Sequence, residues 1–311
     1  MSSLDVDTED LPESLEPAAA FALLGNETRI HILQELWRVD DRPLSFSELR
    51  RRVGVDDSAQ FNYHLGKLTD HFVTKTDNGY DFRYAGEKVV RAILAGTFTD
   101  HVEMDLPVEG SCHECDGDLR AVYTDERLAV TCADCEARYG RYPFPPGGLA
   151  DRSPTEVMSA FDQRVRHLHC LAADGVCPEC SGRMETSFVE CDGSREECAT
   201  TDDFGLDVHV AHECEQCHHV VRSPVGLRLL DHSAVVSFYD DHGVELSSEP
   251  YWTLGWCVRD DTTEVLERDP WRVRVAIPLG DEILFVTMDE NQRVTDVTRR
   301  SGTLEDTKGV V

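Results

Sequence analysis

Four Cys-x-x-Cys pairs constrain this chain more than any other feature: Cys112/Cys115, Cys132/Cys135, Cys177/Cys180 and Cys214/Cys217. Each pair supplies half of a tetrahedral thiolate cage, so the four predict two metal-centred folding units. Sixteen residues separate the first two pairs, inside the window of a four-cysteine zinc ribbon in which each pair forms a tight knuckle. Between them Leu119 to Val130 alternates as two short strands, and Gly117 follows the first knuckle where a positive φ is expected. The second set repeats this layout. Cys112-His-Glu-Cys-Asp-Gly-Asp-Leu aligns with Cys177-Pro-Glu-Cys-Ser-Gly-Arg-Met, and Pro, Gly and Leu follow each second knuckle, at Pro146 to Leu149 and Pro224 to Leu227. The pattern predicts an internal duplication. In the second copy 33 residues lie between the knuckles and include Cys191, Cys198, His209 and His212 as competing ligands. Four thiolates leave no open coordination position, so two structural Zn2+ sites are expected.

Composition favours metal over disulfides. The apolar runs are short and broken by charge, and Met1 to Glu16 is acidic and Ser-rich, unlike a secretory signal or a membrane span. A cytoplasmic location is therefore expected, and a reducing compartment favours metal ligation by such pairs over a disulfide framework. The net charge is −30, with 26 Arg and only 4 Lys against 60 acids. This acidic, Lys-poor exterior resembles the proteins of salt-accumulating haloarchaea, where concentrated salt screens self-repulsion. An acidic interaction surface is the alternative. Residues 16–98 carry a net charge of only −1, whereas residues 99–311 carry −24. The near-neutral segment is the one expected to meet phosphate.

That segment contains no cysteine and has its own pattern. A helix is expected over Pro17 to Leu24, ending at Gly25, followed by a second, capped by Asn26, with Ile30, Leu33, Leu36 and Trp37 on one face. Ser45-Phe46-Ser47-Glu48 is a capping-box pattern that opens a short helix through Arg52, stopping near Gly54. The next helix begins at Asp57 or Ser58 and carries Phe61, Leu65, Leu68 and Phe72 in one apolar stripe. The opposite arc bears Ala59, Tyr63, Gly66 and Asp70, flanked by Gln60, Asn62 and Lys67, so amide, phenol and ammonium groups suited to base edges and phosphates face outward. From Val73 to Tyr84, Asn78-Gly79 is a hairpin signal, and Tyr80, Phe82 and Tyr84 alternate with Asp81 and Arg83. The whole reads as a winged helix-turn-helix, with Arg50, Arg51, Ser58, Gln60, Asn62, Tyr63, Lys67, Lys75 and Arg83 as candidate DNA contacts. Gly86 to Thr97 reads as a final helix, suited to pairing two copies or to packing on its own domain.

The phrase Phe21-Ala22-Leu23-Leu24-Gly25-Asn26-Glu27-Thr28-Arg29-Ile30-His31-Ile32-Leu33, with the helix-turn-helix and Asn-Gly wing after it, resembles the ArsR-type winged-helix regulators. Gln60-Phe61-Asn62-Tyr63-His64-Leu65 is similar to haloarchaeal members in particular. The resemblance covers about the first 98 residues and implies a homodimer on double-stranded DNA. Metal-sensing members carry Cys-x-Cys at the helix-turn-helix. This chain has Val53-Gly54-Val55-Asp56-Asp57 there, which argues against arsenite or cadmium sensing at that site.

Elsewhere, Ser153-Pro154-Thr155-Glu156 is a second capping box, opening a helix in which Val157, Phe161, Val165 and Leu168 form a stripe to about Leu171. A helix around Ser233 to Asp241 precedes strands at Glu264 to Glu267, Trp271 to Pro278, Glu282 to Met288 and Arg293 to Thr298. Tyr251, Trp252, Trp256 and Trp271 read as core more readily than as a ligand pocket. Cys170 and Cys257 read as buried small hydrophobes.

The expected fold is α+β. It comprises an acidic disordered tail (1–15), the winged helix-turn-helix (16–98), a first zinc ribbon (108–150), a connecting helix (153–172), a second ribbon (174–228), a small α+β unit (229–300) and a tail (301–311). His101-Val102-Glu103 is not followed by the Pro-Cys-x-x-Cys of a nucleobase deaminase, and no His-Glu-x-x-His, Gly-x-Ser-x-Gly or P-loop pattern occurs, so no enzyme is expected. The expected function is a DNA-binding transcriptional regulator. The alternative is an adaptor of the transcription machinery, since a winged helix followed by a zinc ribbon also resembles the archaeal counterpart of the general initiation factor TFIIE.

Overall fold

The computed structural model describes residues 15–190 and 206–304, which divide into one unit ending at Thr99 and another beginning at Asp100. The expected acidic tail, apart from Leu15, lies outside the described residues, as do Cys191 and Cys198 and residues 305–311.

The first unit is helical with one hairpin. Pro17 in the first turn opens α1 (Pro17–Leu24), and Gly25 ends it. In α2 (Glu27–Trp37), Asn26 caps by accepting from the Arg29 amide. Ile32, Leu33 and Leu36 are buried, while Ile30 and Trp37 are half-buried. Ser45 caps α3 (Phe46–Val53) through the Glu48 amide, and Gly54 closes it at φ 76°. The expected capping box is only half made, because the Glu48 carboxylate turns to Arg51 at 2.7 Å and Arg52 at 2.8 Å. Asp57 caps α4 (Ser58–Leu68), accepting from the amides of Ala59 and Gln60 at 2.7 and 3.2 Å. The helix stops at Leu68, short of Phe72, where Thr69 turns its hydroxyl onto the Leu65 carbonyl and Asp70 goes left-handed. Phe72 is nevertheless buried.

Strands β1 (Val73–Thr76) and β2 (Gly79–Phe82) pair antiparallel around Asp77-Asn78, and Leu44 adds a bridge to Tyr80. Gly79 adopts φ 144°, and a Cβ there would fall 2.2 Å from the Leu44 carbonyl oxygen, so this hairpin requires glycine. The last helix of the unit, α5 (Tyr84–Leu94), begins two residues before the expected Gly86 and ends before Thr97. The strand alternation ends at Phe82, and Tyr84 is an exposed helical residue.

Among the described residues, the second unit is a mixed α+β body with three antiparallel sheets. Its first sheet is the meander β3 (Met104–Ser111), β4 (Asp118–Thr124), β5 (Arg127–Cys132) and β6 (Arg138–Pro143). Helix α6 (Pro154–Ala173) starts in a complete capping box: the Glu156 carboxylate accepts from the Ser153 amide at 2.7 Å, and the Ser153 hydroxyl accepts from the Glu156 amide. The second sheet is β7 (Met184–Glu190), β8 (Val208–Cys214) and β9 (Val220–Pro224). Then come α7 (Ser233–Asp241), the short α8 (Gly255–Val258) and the meander β10 (Thr263–Arg268), β11 (Trp271–Leu279), β12 (Glu282–Asp289) and β13 (Val294–Ser301). The four strands expected after residue 263 are all present, the last beginning and ending later than its apolar pattern suggests.

The segments read separately in the sequence share one core. Val157, Phe161 and Val165 of α6 join Tyr123 and Leu128 of the first sheet, Phe188 and Val210 of the second, and Val275 and Val286 of the third. A single small ribbon offers too little apolar area to hold itself together, and the helix supplies it. Tyr251, Trp252, Trp256 and Cys257 are buried in the same core, whereas Trp271 is half-buried against Phe188 and Cys170 is only partly covered.

Two acts of close packing fix this core. Gly226, in the turn after β9, lies so near α8 that a Cβ would fall 2.0 Å from the Trp256 carbonyl oxygen. Gly226→Ala is expected to cost about 1–3 kcal/mol of stability, measured by denaturant unfolding followed at the tryptophans; an unchanged midpoint would refute the packing account. The other is a buried ion pair on α6, Asp162 with Arg166 at 2.8 Å. Asp162 also accepts from the Tyr251 amide at 2.8 Å, and Arg166 donates to the carbonyls of Leu246 and Glu249. The pair therefore stitches the helix to the segment ahead of α8.

Candidate metal centres and nucleic-acid interface

Each Cys-x-x-Cys pair folds into the same knuckle. The amide of the first cysteine donates to a carbonyl five residues on: Cys112 to Gly117, Cys132 to Ala137, Cys177 to Gly182 and Cys214 to His219, all at 2.8–2.9 Å. The residue after the second cysteine is left-handed each time, Asp116 at φ 57°, Glu136 at 61°, Ser181 at 61° and His218 at 55°. The positive φ expected at Gly117 thus falls on Asp116. Glycine is needed one residue later for a different reason, because the knuckles face each other closely. A Cβ on Gly117 would lie 2.2 Å from Oδ2 of Asp134, and one on Gly182 3.0 Å from Sγ of Cys214.

The knuckles converge in pairs into two groups, Cys112, Cys115, Cys132 and Cys135, and Cys177, Cys180, Cys214 and Cys217, with all sulfurs of a group within 4.8 Å of one another. Cross-knuckle separations are 3.5 Å (Cys112 to Cys135), 3.6 Å (Cys115 to Cys132), 3.7 Å (Cys177 to Cys217) and 3.5 Å (Cys180 to Cys214). A disulfide would bring two sulfurs to about 2 Å. Four thiolates about 2.3 Å from a central zinc would stand about 3.8 Å apart, so these edges fit a tetrahedral metal centre. Both groups are positioned to hold a metal ion and are compatible with zinc. His209 and His212 stand outside the second group; His212 is buried, with Nδ1 2.8 Å from the Thr186 hydroxyl.

Local dipoles favour charge on one sulfur per cage. Burial opposes ionisation of Cys112, yet the Tyr139 hydroxyl at 3.0 Å and the amides of Glu114 and Cys115 bring its thiol down to about 6. Tyr139 can donate to this sulfur because its oxygen already accepts from the His113 amide at 2.9 Å. In the second cage the Cys217 amide, against a desolvation cost, brings Cys214 down to about 6. The others resist. The Gly117 amide favours the Cys115 thiolate, but Cys135 and Cys132 push it up to about 12; the His219 amide and then Cys180 act likewise on Cys217. Four thiolates in one cage require a cation to offset their repulsion.

In the first unit, the sequence candidates fall on α3, α4 and the hairpin. Ser58, Gln60, Asn62, Tyr63 and Lys67 are all exposed on α4, with Tyr63 59% exposed and Lys67 5.8 Å from its ring centre. Lys75 is exposed on β1, 6.0 Å from the Tyr80 ring. The arginines are less free. Arg51 is held by Glu48, Arg50 is half-buried and reaches the Asp56 carbonyl, and Arg83 folds its guanidinium onto the Asp70 carbonyl. Composition gives no sign of these local partners.

No helix among the described residues is long and apolar enough to cross a membrane. A family model described as a domain of unknown function (DUF7351) matches residues 109–294, and another (DUF7347) matches residues 17–93. No curated protein matches the chain.

Proposed function

The chain belongs to the DUF7351 family, whose matched region holds both cysteine cages, and from the elements that precede that region we propose that it is a DNA-binding transcriptional regulator. In this reading residues 16–98 form a winged helix-turn-helix of ArsR type, α4 enters the major groove and the β1–β2 hairpin is the wing. The observation that carries it is the run α3, tight turn at Gly54, α4 and hairpin, with Gln60, Asn62, Tyr63 and Lys67 exposed together on α4. The near-neutral charge of this segment, beside −24 in the rest, supports it. Phe21, Leu94 and Phe98, exposed at 76%, 58% and 78%, leave apolar surface for a second copy, as a two-half-site operator requires. Both cages hold zinc in this account and serve structure, not catalysis, in a cytoplasmic protein.

The test is a footprint on the DNA upstream of the protein's own gene, in molar potassium chloride. Counterion release contributes little there, so base contacts must carry the affinity. Tyr63→Ala/Lys67→Ala is expected to weaken specific binding about tenfold or more, as loss of one good base contact does. Arg51→Ala should cost less, because Glu48 already engages that guanidinium. Equal losses would contradict the assignment of α4. A folded protein without any footprint would favour the second reading, a TFIIE-like adaptor, for which the acidic C-terminal half offers a docking surface.

A further inference from the structure

The third sheet of the second unit ends on β13, a strand of eight residues with neither proline nor glycine. Among the described residues only β12 pairs with it, so its other edge is open. The Gly302 amide donates to the Asp281 carbonyl at 2.8 Å, and this fixes the phase of the ladder. Asp296, Thr298 and Arg300 bond inward to β12, and Val297, Arg299 and Ser301 turn their amides and carbonyls outward. An open row of this kind is a template for another strand. The opposite edge of the sheet is blunted: a bulge between Val265 and Glu267 breaks β10, and Arg268 is tied to Glu190 of β7. The one irregularity of β13 lies ahead of Asp296 and leaves residues 296–301 in unbroken register.

The side chains along this edge are complementary to a second copy of themselves. On the face turned from the core residues Val286 and Met288 stand Asp296, Thr298 and Arg300. The Thr298 hydroxyl donates to Asp296 at 2.9 Å, and the Arg300 guanidinium lies 5.6 Å from the Phe285 ring centre; neither charge has an ion pair among the described residues. Arg299, on the core side, is instead engaged by Asp241 and Glu282. When a second β13 lies antiparallel with the two-fold axis at Thr298, Val297 pairs with Arg299 of the copy through the outward backbone groups, and Asp296 faces Arg300 at both ends. These even-numbered pairs are of the close, non-hydrogen-bonded kind, with Cα atoms about 4.5 Å apart. Neighbouring registers are worse. An axis at Val297 sets Asp296 against Thr298, and an axis at Arg299 sets that cation against itself. The favoured pairing also covers Val297, which is 41% exposed.

We propose that β13 is a docking edge for β13 of a second copy of this chain, joining the two third sheets into one continuous antiparallel sheet. One strand edge buries less than the roughly 1,200–2,000 Å² of a stable interface, so the association is weak and reversible. The net charge of −24 on residues 99–311 opposes it in dilute buffer. Concentrated salt screens that long-range repulsion, while charges in direct contact are screened least. The contact lies within the second unit and stands independently of what the first unit binds or how it pairs.

Covalent trapping of the intact, metal-loaded chain in molar potassium chloride tests this. Thr298→Cys is expected to give a disulfide-linked dimer under mild oxidation, because its Cα separation across the axis falls within the range of about 4.4–6.8 Å that a disulfide spans. Ser301→Cys, about 20 Å from its counterpart in this register, should stay monomeric, and the parent chain gives the background of its own cysteines. With Thr298→Cys present, Asp296→Arg or Arg300→Asp should each slow trapping about tenfold, since like charges then oppose each other at both ends. A mixture of the two variants should restore it, because the cations of one chain face the carboxylates of the other. Far-UV circular dichroism and metal content verify that the variants fold; if Arg300→Asp does not, Asp296→Arg alone is read and must slow trapping. A folded Thr298→Cys chain that stays unlinked, equal linking at Ser301, undiminished trapping in the single variants or no restoration in their mixture overturns a second copy as the occupant. Pairing through the first unit alone leaves Thr298→Cys unlinked, so the two contacts are told apart.

Discussion

Stripping metal from the intact protein is expected to unfold the described part of the second unit while leaving the first unit folded. Structural zinc in a four-thiolate site contributes roughly 10–16 kcal/mol, as much as or more than the 5–15 kcal/mol net stability of a typical domain. Both cages are built into the second unit's packing. Cys112 and Cys132 lie in the main core, and Cys177 and Cys214 anchor a smaller one with Leu168, Ala172, Met184 and Val221. A chelator should therefore collapse the near-ultraviolet signal of Trp252 and Trp256, which are 2% and 4% exposed. Cys132→Ser should act as chelation does, with metal content falling from two ions per chain toward one. Trp37, in the first unit, reports that α2 survives. Retention of the Trp252 and Trp256 signal after complete metal loss would show that the hydrophobic core suffices and the cages are ornaments on a stable fold.

Removing Arg166 is the second large effect. Arg166→Ala strands the buried Asp162 carboxylate, whose pKa burial raises and whose charge Arg166 offsets, and it orphans the carbonyls of Leu246 and Glu249. Breaking a buried pair in this way typically costs about 3–5 kcal/mol. Replacing both members by apolar residues, Asp162→Leu/Arg166→Met, is expected to recover part of that loss because no lone charge remains. Denaturant unfolding of the two variants decides it. If the double variant is no more stable than Arg166→Ala, the bonds to the 246–251 segment matter more than the charge.

What the sequence made legible was local chemistry. Ligand spacing located all eight described cage cysteines, since a Cys-x-x-Cys knuckle is a property of six consecutive residues. Caps at Asn26, Ser45, Asp57 and Ser153 were readable for the same reason. Gly117 misled because glycine signals both a positive φ and a close approach, and only the facing knuckle reveals which. Alternation placed Tyr84 in the wing, whereas the chain had already turned into α5. Arg51 and Arg83 looked like free cations because carbonyl and carboxylate partners leave no periodic trace.

The shared core of the second unit also governs when that unit can form. Phe161 needs Trp252, Asp162 needs the Tyr251 amide 89 residues further on, and the first sheet closes against side chains as late as Met288. Contacts this remote cannot be made until nearly the whole chain has left the ribosome, and their loop-closure entropy slows the search once it has. The first unit, complete by Thr99, is free to fold early in synthesis. Between the two events the nascent chain carries bare thiols and apolar strands, and the speed of metal delivery sets how long that vulnerable interval lasts.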